Sequence, residues 1–194
     1  MLKYFTIDSN ILLGLSALMM IPNNIVKIAK SEKPYISFFK NLKFAATIAT
    51  TITLVVAFAF LGPRDGFIEM TIGGTDIKTM LSSQFFFLHT AAPALGIISV
   101  IFDKDSKAKY KVATLGFIPL FIYAVPYIVF AAASKLSDAF NEKYHGDWYG
   151  FLNIGDIIKS NPVANVVVLC TIVVIVMFAA ALILGTVLWA LTLI

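Results

Sequence analysis

The 194-residue chain is 59% hydrophobic and 13% charged, where soluble domains carry roughly 25% charged residues, and its mean hydropathy is +0.89. That excludes an ordinary soluble fold and points to an all-α, polytopic transmembrane bundle forming a single integral membrane domain over residues 1–194. The net charge of +4 does not imply a nucleic-acid partner, because the lysines sit in short runs between apolar spans, where membrane topology accounts for them.

Five apolar segments are expected in chain order. The first runs from about Tyr4 to Ile21, with Pro22-Asn23-Asn24 as a breaker, and continues amphipathically toward Lys27 and Lys30. Ile7-Asp8-Ser9-Asn10 interrupts any signal-peptide core and no small-residue cleavage site follows, so this helix should be retained. The second runs from about Leu42 to Leu61 and stops at Gly62-Pro63; Thr47, Thr50, Thr51 and Thr53 should bond back to their own helix as packing residues. The loop 64–79 carries three glycines and has room for a short strand pair. The third segment, Gln84 to Asp103, has the roughly 20 residues that a bilayer requires. The fourth, from about Val112 to Ala133, contains Pro119 and Pro126, which in lipid mean kinks rather than ends. A polar stretch from Ser134 to Asn161 follows, with a short helix and with Trp148 and Tyr149 suited to the headgroup region. The last helix, from about Val163 to Leu193, exceeds the bilayer thickness and should tilt or emerge. The single cysteine, Cys170, lies within it as a small packing or lipid-facing residue and gives no disulfide framework.

Lysine asymmetry sets the expected orientation of this multi-pass protein. The loops 27–43 and 103–111 are Lys-rich and should be cytoplasmic, whereas the other two connections carry few positive charges and should face outward. The amino terminus is then outside. An odd helix count without a signal sequence is what loss of a first helix would leave.

His89 is the residue that this architecture does not explain. An ionisable group inside an apolar span is costly enough to be a functional hypothesis by default, although a structural histidine bonded to a neighbouring carbonyl is the alternative. The expected orientation puts the polar start of the first helix, Thr6-Ile7-Asp8-Ser9-Asn10, in the same outer half. Measured along each helix, His89 lies roughly 21 Å from Asp103 and Thr6 roughly 24 Å from Pro22, so their depths match. The match requires Pro22 to end the first helix, since counting from Lys27 gives roughly 32 Å. A hydroxyl beside an imidazole is the minimum set for nucleophilic acyl transfer. Thr6 and His89 are the candidate pair, with Asp8, Ser9 and Asn10 to orient the imidazole or to offer donors to an oxyanion, and Trp148 and Tyr149 lining the cavity. Asp8 or Ser9 could equally be a helix cap, and Thr6 an ordinary interfacial residue. His145 is read as a surface histidine without a role. No metal cluster, phosphate loop or nucleotide motif is visible, so neither a metal nor a cofactor is expected.

Four stretches carry a resemblance. KYFTIDSNILL, FFFLHTAAP, YAVPYIVF and DWYGFL stand in the order and spacing of the androgen-induced protein family and its bacterial membrane relatives, which this chain resembles over most of its length. The animal members are multi-pass threonine hydrolases that cleave fatty acid esters of hydroxy fatty acids. The resemblance implies a catalytic threonine at Thr6 and a catalytic histidine at His89. The family has a further helix before its Phe-Thr segment and a proline in its aromatic loop, where this chain has Gly150. The function implied is a membrane-embedded lipid ester hydrolase whose partners are membrane lipids and a lipid-like substrate entering from the bilayer. The rivals are a small transporter or lipid-binding membrane protein using His89 and Asp8, and a structural or assembly subunit in which His89 is dispensable.

Overall fold

The computed structural model describes residues 5–30, 37–58, 86–103, 110–147 and 161–193. Every regular element among them is helical: α1 (Phe5–Lys30), α2 (Ser37–Val56), a π-helical turn (Phe87–Ala91) leading into α3 (Ala92–Ile101), a 3-10 turn (Tyr110–Gly116) leading into α4 (Phe117–Leu136), α5 (Asp138–Tyr144) and α6 (Pro162–Leu191). The stretches 5–26, 38–56, 113–136 and 162–191 are each long and apolar enough to cross a membrane. Leu18, Ile25, Val55, Ile122, Val129, Ile175 and Ile183 are exposed on them, outward-facing apolar side chains that belong in lipid rather than in water. The residues form two compact units, one of 1–119 with 181–194 and one of 120–180.

In the first unit α2 is the central element. All residues from Phe44 to Thr53 are buried, whereas a helix against a single partner hides only a stripe. α1, α3 and the 3-10 turn pack around it. Its four threonines are tolerated there because each hydroxyl bonds a carbonyl of the preceding turn: Thr47 to Lys43 O, Thr50 and Thr51 to Thr47 O, and Thr53 to Thr50 O, at 2.7–3.1 Å. α1 meets the unit along one stripe, Phe5, Ser9, Leu13, Ser16 and Met20, spaced three or four residues apart as a helix face requires. Gly96 of α3 admits the closest approach. A Cβ there would lie 3.2 Å from both Leu13 and Thr47, so three helices meet over a missing methyl.

Two expected elements differ. α1 does not stop at Pro22, which lies inside the helix and is exposed. The proline costs the helix one main-chain bond without ending it. Among the described residues the third apolar segment falls short of a span: the helical run 87–101 has 15 residues, about 22 Å at 1.5 Å per residue, against roughly 30 Å of hydrocarbon. The loop 64–79 and its expected strand pair lie outside the described residues.

In the second unit Tyr127, Ala131, Leu169 and Val173 form a core, with Tyr123, Ile128, Cys170 and Met177 packed against it. The Tyr127 hydroxyl donates to Asp147. α5 is capped by Ser137, whose Oγ accepts from Phe140 N–H, and it ends at His145 in the left-handed region at φ 46°. Gly146 follows because a side chain there would collide with the Phe130 carbonyl. α6 starts from Asn161, whose Oδ1 accepts from Ala164 N–H at 3.1 Å, with Pro162 at the first helical position, where no N–H is needed.

Candidate functional site

Thr6 and Asn10 lie four residues apart on α1 and Ser9 three from Thr6, so the three share one face of that helix. Opposite them stands the π turn that opens the third apolar helix. Its origin is legible in Pro93. The Ala92 N–H bonds Phe87 O across five residues instead of Leu88 O across four, and the next residue along, Pro93, has no N–H to give. The Leu88 carbonyl is thus without a helical donor, the situation in which a membrane helix recruits a side chain from a neighbour.

Asn10 supplies it. Its Nδ2 donates to Leu88 O at 3.0 Å and to Thr6 O at 2.7 Å. Ser9, 2% exposed, donates its hydroxyl to the same Thr6 carbonyl at 3.0 Å. Next to this anchor the side chains of Thr6 and His89 meet, with Oγ1 3.3 Å from Nε2. In the tautomer that leaves Nε2 unprotonated, the hydroxyl donates to the imidazole. The separation is longer than a fully formed bond, as is common for catalytic pairs without substrate. Both residues are half-buried, reachable from outside yet shielded.

The structure therefore brings four of the seven candidate residues, Thr6, Ser9, Asn10 and His89, into one cluster. It also alters their roles. The Ser9 and Asn10 donors are engaged by main-chain carbonyls, so these residues hold the threonine and the π turn in place rather than offering hydrogens to an oxyanion. Ser9 is not a cap either, since its hydroxyl bonds backward within α1. Asp8 falls in the first turn of α1, two residues from both Thr6 and Asn10 and hence on a different face. Its Oδ1 is buried and has no hydrogen-bond partner, and the same holds for Asn10 Oδ1. Trp148 and Tyr149 lie outside the described residues. His145 is exposed and closes α5. Among the described residues no group of three or more His, Cys, Asp or Glu is placed to hold a metal ion.

With α1 running on to Lys30, Pro22 does not end the first helix, and the depth match that required it to do so does not hold. Thr6 and His89 nevertheless meet, each near the start of its helix. Fold and cluster together define a helical membrane protein with a hydroxyl–imidazole pair in one helical unit. No family model matches the chain, and neither the curated proteins nor the solved structures contain a match.

Proposed function

We propose that the protein is a membrane-embedded lipid ester hydrolase with Thr6 as nucleophile and His89 as general base. The observation that carries this reading is the 3.3 Å approach of Thr6 Oγ1 to His89 Nε2 between residues 83 positions apart, in a chain whose outer surface is apolar. His89 Nε2 takes the hydroxyl proton as Thr6 Oγ bonds to the ester carbonyl carbon. Collapse of the tetrahedral species expels the alcohol, which receives that proton from His89. Water then repeats the sequence on the threonyl ester, releasing the acid and restoring the hydroxyl. A long-chain ester already partitions into hydrocarbon, so a half-buried pair reached from the bilayer gains substrate concentration. This reading aligns the chain with the androgen-induced family, and puts the loops 27–43 and 103–111 on the cytoplasmic side with the site in the outer half.

A rival has one observation in its favour. The unpartnered Asp8 Oδ1 suits a carboxyl that carries a proton or binds a polar head group in a transporter. Turnover of a fluorogenic long-chain acyl ester by the full chain in nanodiscs separates the two. The hydrolase reading expects turnover that Thr6→Ala and His89→Ala abolish, that Thr6→Ser retains in part and that Asp8→Asn leaves within a few-fold. Turnover indifferent to Thr6 and His89 would refute it.

A further inference from the structure

Beside the Thr6–His89 approach a third side chain, Asn10, bridges the two helical segments. Leu88 O is open because Ala92 N–H is spent on Phe87 O and residue 93 is proline, both facts of the third helix alone. The residue that fills the opening lies on α1, one turn beyond the nucleophile. An amide nitrogen carries two hydrogens, so Asn10 Nδ2 can hold Thr6 O at 2.7 Å and Leu88 O at 3.0 Å at once. It thereby ties the carbonyl of the nucleophile's own residue to the carbonyl of the residue preceding the base. The Thr6–His89 contact joins the same two segments beside it.

We propose that Asn10 is a positioning residue that sets the separation of Thr6 and His89, and that the π turn imposed by Pro93 is what gives it a carbonyl to grip. The catalytic meaning of this rests on the hydrolase reading; the positioning itself does not. Loss of the grip leaves Thr6 and His89 chemically intact but free to part, and misplacement of a catalytic group by about 1 Å costs on the order of 100-fold in rate. Asn10→Ala should therefore lower kcat by about that factor with KM little changed. Asn10→Asp, of the same shape but without the amide hydrogens, should fall as far.

The second readout needs no activity. The chain has two histidines, so the full-length protein labelled with 15N-histidine gives two imidazole signatures in nanodiscs, assigned by His145→Gln. Asn10→Ala and Asn10→Asp should each shift the His89 ring signals and leave those of His145 in place. Pro93→Ala should shift them too, since residue 93 then offers an N–H that competes for the helix carbonyls, and in that background Asn10→Ala should add less than it does in the wild type. Should the alanine variant fail to fold, Asn10→Ser, too short to reach Leu88 O, takes its place. Unchanged His89 signals in folded Asn10 variants, or additive effects of residues 10 and 93, would overturn the positioning role. A wild type without turnover whose His89 signals respond in this way would sink the hydrolase reading and leave the positioning standing.

Discussion

At the scale of single residues, the decisive feature is where hydrogens are spent. Asn10 and Ser9 lie beside a candidate nucleophile, and their residue types alone allow them to serve an oxyanion; their partners show that they serve main-chain carbonyls instead. The pair itself, Thr6 and His89, was legible because an imidazole in an apolar run demands a reason and a polar cluster at the expected depth offered one. Asn10 was legible only in part. Its position four residues from Thr6 could be read, but the carbonyl it grips depends on the π turn, a local choice of the third helix. Removing the side chain leaves Leu88 O without a donor in apolar surroundings. Asn10→Ala should cost about 1 kcal/mol of stability, read as a small drop in melting temperature in detergent. His145 gives the opposite case. Its φ of 46° is the left-handed region that glycine occupies without strain. His145→Gly should raise the melting temperature slightly and leave ester turnover unchanged; lost turnover would give His145 the role that its exposure argues against.

At the scale of elements, proline explains both an error and a success. Proline followed by two asparagines reads as a stop at Pro22, yet the helix carries this exposed proline and runs on to Lys30. Pro119 and Pro126 were read as interior kinks; only Pro126 is interior, whereas Pro119 falls in the first turn of α4, behind the 3-10 turn, where its missing N–H costs nothing. The α2 threonines behave as their residue type predicts, turning each hydroxyl back onto the helix. What sequence could not supply was the closeness of packing. Gly116, at the end of the 3-10 turn, faces Ile48 of α2, and a Cβ there would come within 2.5–2.9 Å of three Ile48 side-chain atoms. Ile48 is 0% exposed and has little room to retreat. Gly116→Ala should therefore destabilise the fold by about 1–3 kcal/mol, and Ile48→Ala in the same chain should recover a part of the loss. An alanine at 116 that leaves the melting temperature unchanged would contradict this close packing of α2 and the 3-10 turn.

At the scale of the molecule, composition alone carried the class: a chain this apolar and this poor in charge has to be helical in lipid, and four of its helices are long and apolar enough to span. The third apolar segment is too short to do so among the described residues, where its helical run covers 87–101. The orientation proposed from lysine asymmetry is open to direct test. In a Cys170→Ser background, the only cysteine being removed, Lys107→Cys should react with a membrane-impermeant maleimide only after the cytoplasmic face is opened, and Arg64→Cys in intact cells. The reverse pattern would invert the topology and put Thr6 on the inner side. The most direct test of the account is a lipid-like fluorophosphonate applied to the folded, full-length protein, with the adduct mapped by mass spectrometry. We expect a single adduct on the peptide containing Thr6, lost in Thr6→Ala and in His89→Ala. A folded wild type that takes up no label, or carries it at another residue, would contradict the claim that this threonine and this histidine form a nucleophilic pair.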